Sequence, residues 1–148
     1  MLETVPEAPA AWVGHSFGGR LVVELAARRP ELVERAVLLD PALRIVPPNA
    51  LRLAEAELAA PDGEYSRAAV IAAFGELARR PPPYDRLRCP VTLVRGTEES
   101  VVGPNRLRVF QEALGDRLRI VHVPGGHDVL VDAFDATAEA VASALATA

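Results

Sequence analysis

The stretch Ala10-Ala11-Trp12-Val13-Gly14-His15-Ser16-Phe17-Gly18-Gly19 decides how the rest of the chain is read. Its first four residues form a short apolar run that predicts a buried strand ending at Gly14. From Phe17 the pattern turns helical: Leu21, Val22 and Leu25 share one face, alanines follow, and Pro30 stops the run. A serine between such a strand and such a helix has to occupy a tight, strained turn. Glycines two before and two after it keep the two elements from colliding. The turn lifts the Ser16 hydroxyl clear of the sheet. It also aims the Phe17 N–H, at a helix start, toward any developing oxyanion. With 10 Gly and 4 Ser in 148 residues, chance gives Gly-x-Ser-x-Gly in roughly 2% of chains of this composition. The flanking strand and helix make an accident rarer still.

Working outward, Ala36-Val37-Leu38-Leu39 predicts a second buried strand, closed by Asp40-Pro41. Strand, helix and strand within about 30 residues imply a right-handed crossover and parallel pairing. Residues 43–88 read differently. Pro47-Pro48 and Pro81-Pro82-Pro83 bracket two Ala/Leu-rich helical stretches, 49–59 and 65–79, with no strand signal between them. This segment is expected to be a helical insertion with a modest apolar pocket and few polar anchors. The α/β rhythm then returns with a strand at Val91–Val94, a helix over 104–114 and a strand at Leu118–Val121. A loop holding His127 and a closing helix from Asp135 to Ala146 follow. The expected architecture is a single α/β domain over 1–148, its mostly parallel sheet of about four strands flanked by helices.

Composition narrows the function classes. Half of the 148 residues are hydrophobic and the formal net charge is −4, which excludes intrinsic disorder and suits one packed core. An acidic balance without a basic stripe argues against nucleic acid. No apolar run approaches the roughly 18 residues of a membrane span. The opening Met1-Leu2-Glu3-Thr4 lacks a basic and an apolar region, so a cytoplasmic address is expected. All 16 basic residues are Arg and 26 residues are Ala, which suggests a GC-rich bacterial gene. A lone Cys89 forms no internal disulfide, and three scattered histidines give no metal-ligand spacing; no metal or cofactor is implied.

With these residues in place, the sequence resembles the α/β-hydrolase family from about Ala10 to the C-terminus, apart from the insertion at 43–88. Members carry a variable cap at that position. The resemblance implies a Ser…acid…His order, with the acid after the strand that follows the cap and the histidine after the last strand. Ser16 is then the nucleophile. His127, in Pro124-Gly125-Gly126-His127-Asp128, falls where the family places its base. For the acid, the family pattern puts Asp three residues after a strand-ending glycine, followed by Pro. Counting from Gly96 lands on Glu99, with Ser100 in place of Pro. A glutamate suffices, since the acid has only to accept the His127 Nδ1–H and stabilise the imidazolium. Glu98 is an alternative. So is Asp40, at the end of the second strand, where a minority of relatives place an acid. His15 reads as a neighbour of Ser16, while His122, Cys89 and Trp12 read as structural.

The implied activity is serine hydrolysis of an ester, thioester or lactone, with a small acyl compound as partner. Ser16, His127 and Glu99 form the triad, and Phe17 N–H holds the oxyanion. Haloperoxidase-like and acyltransferase chemistry stay open. The family pattern also has about eight strands, with the serine turn after the fifth, whereas here the turn begins at residue 14. The resemblance therefore implies a truncated fold lacking four strands and the loop with the second oxyanion donor. Leu2-Glu3-Thr4-Val5-Pro6 resembles the tail of the helix before the serine strand. The alternative function is a catalytically impaired or inactive C-terminal fragment. Its first strand is expected at a sheet edge, unpaired on one side and open to self-association.

Overall fold

Ala10–His15 forms strand β1, and the chain reverses at Ser16 into helix α1, Phe17–Arg28. The computed structural model describes residues 8–59 and 66–146. The segment Leu2–Pro6 lies outside the described residues. Helix α1 buries Arg20, Val22, Val23 and Ala26 along one face. It ends where Arg29 N–H bonds to Leu25 O at 2.8 Å, and Pro30 opens a 3₁₀ turn.

Strand β2, Val33–Leu39, starts three residues before the apolar run that predicts it. The extension includes Glu34 and Arg35, polar residues that interrupt the apolar signal. Arg35 Nη1 donates to Ala144 O at 2.7 Å, so its charge ends on a carbonyl near a helix C-terminus. Between β2 and the next strand lie α2, Pro47–Ala59, and α3, Arg67–Arg79, which pack on each other. The remaining elements are β3, Val91–Gly96; α4, Pro104–Leu114; β4, Leu118–Val123; the short α5, Val129–Asp132; and α6, Phe134–Ala146. The four strands pair in parallel in the order β1-β2-β3-β4.

Strand alternation divides the core between two faces of the sheet. Ala36 and Leu38 of β2 and Val91 and Leu93 of β3 face one way, onto Val22, Val23, Phe110 and Leu114 of α1 and α4. Val37, Leu39 and Val94 face the other way, onto Ala140 and Ala144 of α6. Buried Cys89 packs in the first cluster, and burial pushes its thiol upward in pKa. Among the described residues β1 pairs with β2 only. Trp12 is half-buried at that edge, its indole N–H donating to Leu32 O at 3.0 Å, while Val13 on the opposite face is 44% exposed. Among the described residues no helix is long and apolar enough to cross a membrane.

Candidate active site

All four parallel strands end on one side of the sheet, and the polar residues converge there, as in other open α/β sheets. Ser16 has φ 51° and ψ −119°, a strained backbone for a residue with a side chain. The strain is held by hydrogen bonds: Ser16 N–H donates to Leu39 O at 3.0 Å, while Gly19 and Ala42 N–H donate to Ser16 O at 3.1 and 2.9 Å. The glycines contribute unequally. A Cβ on Gly14 would lie 2.5 Å from the backbone of Gly18, and one on Gly19 would lie 2.6 Å from Pro41 Cβ. A Cβ on Gly18 would meet nothing within 4 Å. The close approach therefore needs Gly14 and Gly19, rather than the glycine two positions after the serine. Phe17 is the first residue of α1, so its N–H has no helical acceptor and stays available at the turn.

His127 arrives from the loop after β4. That loop folds over the end of β3, where a Cβ on Gly96 would lie 2.2 Å from Gly126 O. Ser16 Oγ–H donates to His127 Nε2 at 2.9 Å, and His127 Nδ1–H donates to Asp40 Oδ2 at 2.7 Å. His15 Nε2–H donates to His127 O at 3.1 Å, which ties the His127 backbone to the serine turn. His122 is exposed on β4, away from these contacts.

The carboxylate on the imidazole is Asp40, not the expected Glu99. Parallel pairing of His15 with Leu39 puts Asp40 level with Ser16, one residue beyond each strand. Asp40 is fully buried with φ 36°, in the left-handed region that Asp tolerates better than most residues. Its carboxylate accepts from Ser100 Oγ–H and, at 3.0 Å, from Val101 N–H, besides His127. Glu98 and Glu99 are exposed on the same loop, and neither side chain reaches the imidazole. Ser100 is the residue the sequence reading missed. Its Oγ also accepts from Val102 N–H at 3.1 Å and Arg95 Nε at 3.3 Å. The hydrogen bond to Asp40 raises the pKa of His127 most; desolvation lowers it, and the charges of Asp40, Asp128 and Glu57 raise it further.

These residues open onto a cleft of about 1090 Å³ between the β2 end and the helices α2 and α3. Leu53, Val70, Phe74 and Leu77 give it an apolar wall. Arg44, Asn49, Glu57 and Arg106 also line it, so it is larger and more polar than the expected modest pocket. His15, His127 and Asp128 place one ligand atom each within 4.8 Å of one another. A cation there would compete with the hydrogen bonds that His15 and His127 already make.

The alpha/beta hydrolase fold family model matches residues 1–74 of this chain. The chain belongs to the alpha/beta hydrolase fold family. Lipase LipV of Mycobacterium tuberculosis is 42% identical over 62 residues, which are 42% of this chain and 24% of the lipase. A type I acyl-CoA thioesterase of Penicillium brevicompactum is 42% identical over 41 residues, 28% of this chain and 10% of that protein. The chain thus matches a quarter or less of the length of these curated relatives. In structure, a hydrolase from Pseudomonas aeruginosa superposes with a TM-score of 0.81 at 19% identity, covering 99% of this chain and 68% of that one.

Proposed function

We propose that this chain is a serine hydrolase that cleaves an ester, thioester or lactone through an acyl-enzyme. One observation carries the reading: the line of hydrogen bonds from Ser16 Oγ through His127 to buried Asp40, opening onto a cleft with an apolar wall. The lipase and thioesterase among the relatives agree with the acyl chemistry. His127 Nε2 takes the Ser16 proton as the oxygen attacks the carbonyl. Phe17 N–H, at the start of α1, donates to the developing oxyanion. Protonated His127 hands its proton to the leaving group, and Asp40 stabilises the imidazolium and holds its tautomer. Water then adds to the acyl-Ser16 ester with His127 again as base.

A second reading, a chain with reduced catalytic power, draws support from β1, which pairs on one side only among the described residues. Both readings meet one test. A fluorophosphonate should label the chain at Ser16, as read by mass spectrometry of the peptide, and Ser16→Ala should abolish labelling. Labelling with weak turnover of p-nitrophenyl butyrate selects the second reading. Labelling elsewhere, or equal labelling of the Ser16→Ala chain, overturns both.

A further inference from the structure

The cleft carries two cations that the hydrolytic step does not use. Arg44 stands two residues beyond Ala42, whose N–H donates to Ser16 O at 2.9 Å, and it lines the same cleft as Ser16. Arg106 Nη1 donates to Val101 O at 2.8 Å, and Val101 N–H in turn donates to Asp40 Oδ2. Each arginine is thus joined to the Ser16–His127–Asp40 line by a short run of backbone. Among the described residues neither has a carboxylate within ion-pair distance, and Arg44 makes no hydrogen bond. Two carboxylates, Glu57 and Asp128, line the same cleft. Glu57 and Asp128 raise the pKa of His127. Arg44 and Arg106, with Arg20, act on Tyr84, whose hydroxyl burial pushes upward while these cations oppose the shift.

Arg20 is already occupied. It is buried, paired with Glu24 and bonded to Leu43 O and Arg80 O. Arg44 is exposed and Arg106 half-buried, and among the described residues both keep most of their donors beside the apolar wall of the cleft. A guanidinium presents planar N–H pairs that match carboxylate and phosphate oxygens. We propose that the cleft selects acyl substrates bearing an anionic group, carboxylate or phosphate, a few bonds from the scissile carbonyl, with Arg44 and Arg106 as the residues that bind it. This inference rests on the hydrolase reading above. Neutral acyl compounds enter the same cleft without that contact.

Two matched pairs test it and separate the sources of the anion. Mono-p-nitrophenyl glutarate against p-nitrophenyl butyrate probes an anion on the acyl side. S-butyryl-4′-phosphopantetheine against S-butyryl-pantetheine probes one on the leaving group. In at least one pair the anionic member should be favoured about tenfold in kcat/KM, mostly through KM. That ratio should fall toward unity in Arg44→Gln and Arg106→Gln, and Arg106→Lys should restore part of it. A preference in only one pair assigns the side. Titration of the Ser16→Ala chain with monomethyl glutarate and methyl butyrate, followed by NMR, reads the same preference without turnover. Turnover with no anionic preference in either pair overturns the inference and leaves the hydrolase reading standing. Preferential binding by a wild-type chain that shows neither turnover nor labelling does the reverse. A preference that survives both Gln substitutions overturns the assignment to these arginines.

Discussion

The ends of β2 and β3 lie side by side in the sheet, and each is followed closely by acid: Asp40 after β2, Glu98 and Glu99 after β3. At the β2 end, Asp40 is fully buried and accepts three hydrogen bonds. At the β3 end, Glu98 and Glu99 stay exposed, and the loop contributes the Ser100 hydroxyl and the Val101 N–H instead. The difference shows what a buried carboxylate requires. A charge removed from water has to be met by donors on its free lone pairs. The β3 loop supplies those donors, so one loop serves as the support for an acid that another strand provides. Charge alone would not distinguish the two ends; desolvation and donor count do.

The largest effect should come from the β2 end. Asp40→Asn should lower kcat by about 10⁴-fold, since a neutral amide neither fixes the tautomer nor stabilises the imidazolium. Progress curves on an activated ester would measure it, and a small effect would move the acid elsewhere. Ser100→Ala comes next. It leaves Asp40 Oδ1 without that donor and strips Val102 N–H and Arg95 Nε of an acceptor. Urea denaturation should show a loss of about 1.5–3 kcal/mol, and Ser100→Thr should recover part of it.

pH sharpens the same contrast. Only neutral His127 accepts the Ser16 proton, so kcat/KM should fall as pH drops through the His127 pKa. That pKa lies above the ordinary 6.5, chiefly because of the hydrogen bond to Asp40. Asp40→Asn should move the acid limb to lower pH, whereas Glu99→Gln should leave it in place. For stability the sign is opposite. A raised histidine pKa contributes stability that is full below 6.5 and is lost as pH rises through the folded-state value. The smallest effect belongs to the β3 end: Glu98→Gln and Glu99→Gln should each change kcat by less than about twofold, as exposed side chains outside the hydrogen-bond line. A large loss in either would erase the distinction between the strand ends.

Much of this was legible in the residues. Apolar runs mark the strands, Pro30 and Pro81 follow the ends of α1 and α3, Pro47 and Pro104 open α2 and α4, and Gly14 to Gly19 mark the serine turn. The short α5 carries no such signal. The start of β2 was obscured because Glu34 and Arg35 interrupt the apolar run, and Arg35 finds its partner 109 residues away at Ala144. The carboxylate on His127 escapes the sequence pattern for a related reason. Spacing along the chain counts to Glu99, but the imidazole selects by position across strands, and the register that sets Asp40 level with Ser16 emerges only from pairing. Ser100 stands where the family pattern has proline, and the pattern gives no hint of the hydroxyl that bonds to Asp40. Arg44 and Arg106 gave no local pattern, because the cleft joins them to Ser16 only after the sheet has formed.

The central claim is that Asp40, held by the β3 loop, is the partner of His127. Proton NMR of the chain with 15N-labelled histidine tests it without any substrate. The hydrogen-bonded Nδ1–H of His127 should give a low-field resonance that persists in Glu99→Gln and disappears or moves strongly upfield in Asp40→Asn. A resonance unchanged in Asp40→Asn and lost in Glu99→Gln would contradict the account.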